Sequence, residues 1–124
     1  MSSLIVVSGP NQDSYYPLGK RTMVVGRDQA CPIQLTDGKV SRQHVQIRFD
    51  AAKNQHVVLD MKSANGTLVN GRAVNAETPL VDGDEITVGE SRLVFFDREF
   101  PDKASAFNSW KVMGQRSRAT LEER

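Results

Sequence analysis

The sequence predicts an all-β fold followed by a short C-terminal helix. Short apolar or alternating segments recur from residue 4 to residue 96, and turn residues separate them. Turn signals spaced every ~8–12 residues, with no helical periodicity between them, are typical of a β-sandwich or barrel. The pattern predicts about eleven strands, because each turn signal closes one segment. After Phe96 the composition changes, and β-branched residues become few.

Six strands are predicted in the first half of the chain. They cover residues 4–7, 15–18, 22–25, 33–35, 44–49 and 57–61. The second of these belongs on a sheet edge, because Pro17 cannot donate a ladder hydrogen bond. In the fifth, Val45, Ile47 and Phe49 alternate with Gln46 and Arg48, so one face is expected in the core.

Five further strands are predicted in the second half, over residues 67–69, 72–74, 80–81, 85–88 and 92–96. Asn70-Gly71 joins two of them. Asn-Gly is the strongest local hairpin signal, because a type I′ turn needs positive φ at both central residues. Gly89-Glu90-Ser91 joins the last two strands, which predicts a second hairpin.

Residues 99–124 are predicted to be an extension of a domain that spans residues 1–98. A helix is expected over 102–113, with Asp102 near its start and Gly114 at its end. The apolar positions near helical spacing are Ala104, Phe107, Trp110 and either Val112 or Met113. We expect the aromatic residues to pack against the sandwich, with a dimer or partner surface as the alternative. The polar residues 115–124 are expected to be flexible.

The near-zero net charge excludes functions that depend on a strong electrostatic field around the protein. Sixteen basic and fifteen acidic residues give a formal charge of +1, so bulk binding to nucleic acid or an anionic membrane is not expected. The single cysteine, Cys31, has no partner for a disulfide and no nearby histidine, so no metal is expected. A Walker loop and a dinucleotide fingerprint are absent, so no cofactor is expected. With no targeting segment visible, a cytoplasmic location is expected.

Polar islands lie at the predicted strand ends. They are Gly26-Arg27, Ser41-Arg42-Gln43-His44, Asn65-Gly66-Thr67 and Asn70-Gly71. Arg27 offers a guanidinium fork for phosphate or carboxylate, and Ser41 offers a hydroxyl donor. Taken singly, these are also ordinary surface and turn residues, and an asparagine before glycine simply favours a left-handed turn. Together they predict a site for a small anionic group.

A hydrolase is the enzymatic alternative, with Ser41, His44 and Asp60 as a triad. Ser41 lacks the Gly-x-Ser-x-Gly elbow that exposes a nucleophilic serine. We therefore predict a protein without enzymatic activity, in which His44 has a structural role and points away from the anion site.

As an ordered set, the islands resemble the forkhead-associated (FHA) domain. The resemblance covers about residues 4–96 and includes Asp82-Gly83-Asp84, Ile86 and Gly89. It implies a two-sheet β-sandwich whose apical loops bind phosphothreonine in partner proteins. The function it implies is a phosphothreonine-dependent interaction module that acts as a signalling adaptor downstream of Ser/Thr kinases.

The resemblance also implies roles for individual residues. Arg27 and Ser41 match the residues that meet the phosphate, Arg42 matches one that meets the phosphopeptide, and Asn65 matches one that holds the peptide backbone. Positions that mainly shape the loops are matched by Gly26, His44, Gly66 and Asn70. Lys39 lies where some members read the third residue after the phosphothreonine, so it would favour an acidic residue there.

The chain departs from the family pattern at Ala64, where members often carry serine or threonine. One hydroxyl that can contact the phosphate is therefore missing, and we expect lower affinity or altered preference. The adjacent Ser63 and Lys62 are candidates to replace it. A scaffold that has lost phosphate binding is the alternative that Ala64 leaves open.

The C-terminal segment Arg116-Ser117-Arg118-Ala119-Thr120 resembles a site for a basophilic Ser/Thr kinase. We hypothesise that phosphorylated Thr120, or Ser117, docks in the chain's own pocket or in a neighbour's. Glu123 lies three residues after Thr120, where it could pair with Lys39.

Overall fold

Eleven strands and one helix make up the computed structural model, which describes residues 1–122 and the side chains of residues 1–114. The strands are β1 (Ser3–Ser8), β2 (Ser14–Pro17), β3 (Met23–Gly26), β4 (Ile33–Gln34), β5 (Val45–Asp50), β6 (Gln55–Asp60), β7 (Thr67–Val69), β8 (Arg72–Ala73), β9 (Thr78–Pro79), β10 (Glu85–Val88) and β11 (Ser91–Phe96). The helix α1 spans Lys103–Glu122.

The strands form two sheets that face each other across the core. One sheet has the order β2-β1-β11-β10-β7-β8, and the other has the order β4-β3-β5-β6-β9. Alternation along the strands sends one apolar face of each sheet inward. The largest fully buried core side chains come from both sheets and include Leu4, Ile33, Ile47, Ile86 and Leu93. The predicted two-sheet sandwich is therefore confirmed.

The predicted hairpin at Asn70-Gly71 is present, with φ values of 51° and 82°. The ninth strand differs from its prediction: it forms at Thr78–Pro79 and not at residues 80–81. Pro79 is tolerated because β9 is an edge strand that pairs only with β6 in the described sheet. Leu80 is instead a buried core residue at 3% exposure.

The strand directions bring several loops to one end of the sandwich. β3 ends at Gly26, β5 begins at Val45, and β6 ends at Asp60, where Val45 and Asp60 are paired. β7 begins at the same end, because the Gly66 carbonyl oxygen lies 2.7 Å from Nε2 of His44, the residue before β5, and Thr67 pairs with Val88 of β10. The turn between β10 and β11 lies there too. The predicted polar islands therefore surround one apical surface, with the exception of Asn70.

The helix begins as predicted but its predicted end is wrong. Asp102 caps it, since its Oδ1 accepts the Ser105 N–H at 2.8 Å, but the helix continues through Gly114 to Glu122. A glycine inside a helix costs only about 1 kcal/mol relative to alanine, and the residues that follow it include good helix formers. Residues 115–122, predicted to be flexible, are thus helical. Residues 123–124 and the side chains of 115–124 lie outside the description.

The helix packs on the outer face of the six-stranded sheet. Ala106, and not Ala104, is its fully buried residue, in a cluster with Ile5, Val94 and Phe96. Phe107 and Trp110 are half-buried against the same cluster. The expectation that these aromatics pack back onto the sandwich is confirmed. The domain boundary at residue 98 stays a prediction. In the part of the chain that the structure describes, no helix has both the length and the apolar character needed to cross a membrane.

Candidate functional site

The backbone N–H and the Nε–H of Arg27 are both hydrogen-bonded to the loop that precedes β5. Its backbone N–H donates to the Ser41 carbonyl at 3.0 Å, and its Nε–H donates to the Val40 carbonyl at 3.0 Å. Among the described residues, the two Nη groups have no hydrogen bond or ion pair. The side chain is thus anchored while its terminal donors are left for a ligand.

Gly26 permits the close approach that this anchoring requires. A Cβ atom at Gly26 would lie 2.1 Å from the Arg42 carbonyl oxygen. A real side chain would force the end of β3 away from the loop that precedes β5, so only glycine fits there.

Three loops form the apical surface: the first follows β3, the second lies between β4 and β5, and the third lies between β6 and β7. Ser41 joins the second loop to the third through its hydroxyl oxygen. This oxygen accepts the Ala64 N–H at 3.0 Å. The interaction uses a lone pair of Ser41, so its hydroxyl hydrogen can still be donated to an anion.

His44 lies beneath the same two loops, and its ring is hydrogen-bonded to both of them. Its ring is fully buried. Nδ1 accepts the Ser41 N–H at 3.0 Å, and Nε2 lies 2.7 Å from the Gly66 carbonyl oxygen. The two partners assign a neutral ring with hydrogen on Nε2, because Nδ1 must accept and the carbonyl needs a donor.

This geometry does not form the hydrolase triad considered above. Ser41 presents its backbone N–H, and not its hydroxyl, to His44. Asp60 accepts hydrogen bonds from Ser63 and Thr67 instead. Both ring nitrogens of His44 therefore face backbone groups, and its structural role stays a prediction.

Asn65 connects the third loop to the residue before Val40. Its Nδ2 donates to the Lys39 carbonyl at 2.8 Å. The side chain is exposed, and its carbonyl oxygen and second N–H have no hydrogen bond within the described part of the chain.

Arg27 and Arg42 line one shallow depression of about 370 Å³, together with Asp28 and Gln29. Both arginines are exposed. Asp28 adds one negative charge, but its Oδ1 is bound to the Ala30 N–H. Two guanidinium groups at one depression favour an anionic ligand with several acceptor oxygens.

The third loop is shaped by Asp60. The Ser63 hydroxyl donates to Asp60 Oδ1 at 2.5 Å, and the Thr67 hydroxyl donates to the same oxygen at 2.7 Å. Burial raises the pKa of Asp60, but the hydrogen bonds from Ser63 and Thr67 outweigh it and lower the pKa below its ordinary value. Because the Ser63 hydroxyl is committed to Asp60, it does not replace the hydroxyl missing at Ala64.

Sequence reasoning missed Asp37, a buried carboxylate under the site. Its Oδ1 accepts the Lys39 N–H at 2.9 Å, while Oδ2 accepts the Glu90 N–H at 2.7 Å and the Ser91 hydroxyl at 2.9 Å. Burial raises the pKa of Asp37, but these hydrogen bonds outweigh it and lower the pKa overall. The hydrogen bond from the Lys39 N–H to Asp37 could be expected from the sequence, because Asp37-Gly38 is a turn signal. The contacts with Glu90 and Ser91 have no local signal.

Asn70 does not belong to this surface. It lies at the far end of β7, where its Nδ2 donates to Asp84 Oδ1 at 2.8 Å and its Oδ1 accepts the Glu85 N–H at 2.9 Å. It shapes the hairpin at that end. The apical surface instead brings together Gly26, Arg27, Lys39, Ser41, Arg42, His44, Ser63, Ala64, Asn65 and Gly66.

Comparison with known proteins supports a single family. The FHA domain family model matches residues 23–89, more than half of the chain. The oxoglutarate dehydrogenase inhibitor of Corynebacterium jeikeium is 40% identical over 94 residues, which are 76% of this chain and 63% of that protein. The glycogen accumulation regulator GarA of Mycolicibacterium smegmatis is 40% identical over 92 residues, which are 74% of this chain and 56% of that protein. The chain thus spans less than two thirds of the length of either relative.

A solved structure supports the same assignment. It comes from a structural and functional analysis of phosphothreonine-dependent FHA domain interactions. It matches with a TM-score of 0.70 and 32% identity, over 80% of this chain and 98% of its own. The chain therefore belongs to the forkhead-associated (FHA) domain family.

Proposed function

We propose that the apical loops bind a phosphothreonine peptide, with Arg27, Ser41 and Arg42 at the phosphate and Asn65 at the peptide backbone. As an FHA domain, the chain is a phosphothreonine-dependent protein interaction module. The observation that carries the residue assignment is the anchoring of Arg27. Its Nε is bound to Val40 while its terminal donors have no partner in the described part of the chain.

The chemistry of the ligand suits these donors. A phosphothreonine carries about −1.5 to −2 charge and three acceptor oxygens. Guanidinium groups and a serine hydroxyl supply charge-assisted hydrogen bonds, which are roughly twice as strong as neutral ones. Arg27, Ser41 and Asn65 are each held before binding by a hydrogen bond to a neighbouring loop, so little ordering cost is expected for these three side chains.

We further propose that the domain works as a signalling adaptor downstream of a Ser/Thr kinase, without enzymatic activity of its own. Two relatives are named as an inhibitor and a regulator, which supports a role in controlling other proteins. His44 is bound to two backbone groups, which supports the absence of a serine–histidine catalytic pair. A cytoplasmic location stays a prediction. Self-binding through phosphorylated Thr120 also stays a prediction, because the Thr120 side chain lies outside the description.

An oriented phosphothreonine peptide library tests the proposal. We expect selection of phosphothreonine peptides by the wild-type protein and loss of that selection in Arg27→Ala. Arg72→Ala is the matched control, because Arg72 is an exposed arginine on β8, in the hairpin at the opposite end of β7. A library without selection would support the scaffold alternative, whereas an Arg27→Ala variant that still selects would overturn the assignment of Arg27 to the phosphate.

A further inference from the structure

Lys39 forms an ion pair with Glu90 at the edge of the apical surface. Lys39 Nζ lies 3.2 Å from Glu90 Oε1, and the two side chains are 64% and 67% exposed. The carbonyl of Lys39 holds the side chain of Asn65, and the next residue, Val40, holds Arg27. The pair therefore sits beside the residues assigned to the phosphopeptide.

The backbones on both sides of this pair are fixed by one buried group. The carboxylate of Asp37 accepts the N–H of Lys39 with one oxygen and the N–H of Glu90 with the other. Asp37 itself is only 3% exposed. The β10–β11 turn that carries Glu90 is thus joined directly to the loop that carries Lys39.

Gly89 allows this turn to approach so closely. It has a φ of +61°, and a Cβ atom there would lie 2.9 Å from Val40 Cγ2 and 3.0 Å from the backbone carbon of Lys39. Glycine removes both the strain and the clash. The position of Glu90 beside Lys39 is consequently set by backbone packing, and not only by two long side chains that happen to meet.

We propose that Glu90 is a specificity-determining residue that competes with the bound peptide for Lys39. The inference rests on the proposed phosphopeptide binding. An acidic peptide side chain must displace Glu90 before it can pair with Lys39, whereas a basic one can pair with Glu90. Glu90 therefore weakens the preference for acidic residues that Lys39 alone would impose.

Phosphothreonine peptides carrying Asp, Ala or Lys at each flanking position in turn provide the test. The ratio of the affinities for the Asp and Ala peptides is measured, because a ratio cancels any uniform effect of the lost charge on phosphate binding. We expect Glu90→Gln to raise this ratio about two- to fivefold at one position, the range that suits an exposed ion pair. The increase should shrink as salt is added, since exposed charges are screened.

Two further variants separate the mechanism from general electrostatics. In a Lys39→Gln background, Glu90→Gln should raise the ratio less than it does in the wild-type background, because only the direct repulsion between Glu90 and the peptide carboxylate is left. Glu77→Gln removes the same charge far from the site, where Glu77 pairs with Arg48, and it should leave the ratio at its wild-type value.

The outcomes distinguish this inference from the proposed function. If phosphothreonine peptides bind through Arg27 but Glu90→Gln changes the ratio at no position, the inference is overturned and the proposed function stands. An effect of Glu90→Gln that is equally large without Lys39 also overturns it. If no phosphothreonine peptide binds the wild-type protein, both fail together.

Discussion

The imidazole of His44 lies between the backbone N–H of Ser41 and the carbonyl of Gly66, bound to one through Nδ1 and to the other through Nε2. One buried ring therefore sets the spacing between the loop that carries Ser41 and the loop that carries Asn65. A side chain with an acceptor at one edge and a donor at the other is needed, and neutral histidine supplies both.

Replacing His44 by Phe should therefore reduce both stability and affinity. Two backbone groups would lose their partner beneath the loops, and each unsatisfied group costs about 1–3 kcal/mol. Urea unfolding should therefore show a loss of about 2–6 kcal/mol for the two groups together. Phosphopeptide affinity should also fall under conditions where the variant is fully folded. A variant as stable and as tightly binding as the wild type would show that the ring does not organise the site.

Gly26→Ala tests the close approach of the end of β3 to the loop that precedes β5. The new Cβ atom would meet a backbone oxygen, that of Arg42, at 2.1 Å, so the strand must move. Overpacking of this kind costs about 1–3 kcal/mol. Because Arg27 follows directly, phosphopeptide affinity should fall as well.

Gly38→Ala is the control for this prediction, because a Cβ atom at Gly38 meets nothing within 4 Å. It should change neither the unfolding midpoint nor the affinity beyond the usual effect of an added methyl group. Equal losses in the two variants would mean that glycine flexibility, and not the contact with Arg42, explains the result.

The strands and the positions of the proposed binding residues were predictable because their signals are local. The alternation of apolar and polar residues identified β5. The dipeptide Asn70-Gly71 identified the hairpin between β7 and β8. The islands that contain Arg27, Ser41 and Asn65 lie at strand ends that the same patterns define. In each case, the residues that carry the signal are neighbours in the sequence.

The features that were missed or misplaced depend on tertiary contacts. Gly114 is a helix-ending signal, but it was too weak to stop α1. Asp37 reads as a turn residue, and nothing in the sequence reveals that it binds Glu90 and Ser91, which are more than 50 residues away. The Lys39–Glu90 pair follows from that same contact. It could be found only once the sheet order had placed the two loops together.

Acidification should destabilise the domain through His56. Burial is the main cause that lowers the pKa of His56, and the N-terminal ammonium adds to it, against a hydrogen bond to the Gly19 carbonyl that raises it. The folded pKa thus lies below the ordinary value of about 6.5. The unfolded chain therefore binds a proton first as the pH falls, and the free energy of unfolding declines from about pH 6.5 down to the folded pKa.

Urea unfolding of the wild type and of His56→Gln at about pH 7.5 and about pH 5.5 measures this effect, since the two values bracket the ordinary pKa. The wild type should lose more stability between these pH values than the variant does. The comparison cancels the contribution of His44, the other histidine in the chain. An equal or larger loss in the variant would contradict the assignment to His56.

Ala64→Ser should strengthen phosphopeptide binding. Ala64 is exposed, and its N–H is bound to Ser41 Oγ beside the proposed phosphate site. A serine hydroxyl there supplies the donor that Ser63, committed to Asp60, does not. A neutral hydrogen bond contributes about 0.5–1.5 kcal/mol, so the affinity should rise about two- to tenfold. Calorimetric titration with phosphorylated and unphosphorylated forms of one peptide measures this. The gain should be confined to the phosphorylated form, because an equal gain for both would mean that the hydroxyl contacts the peptide and not the phosphate.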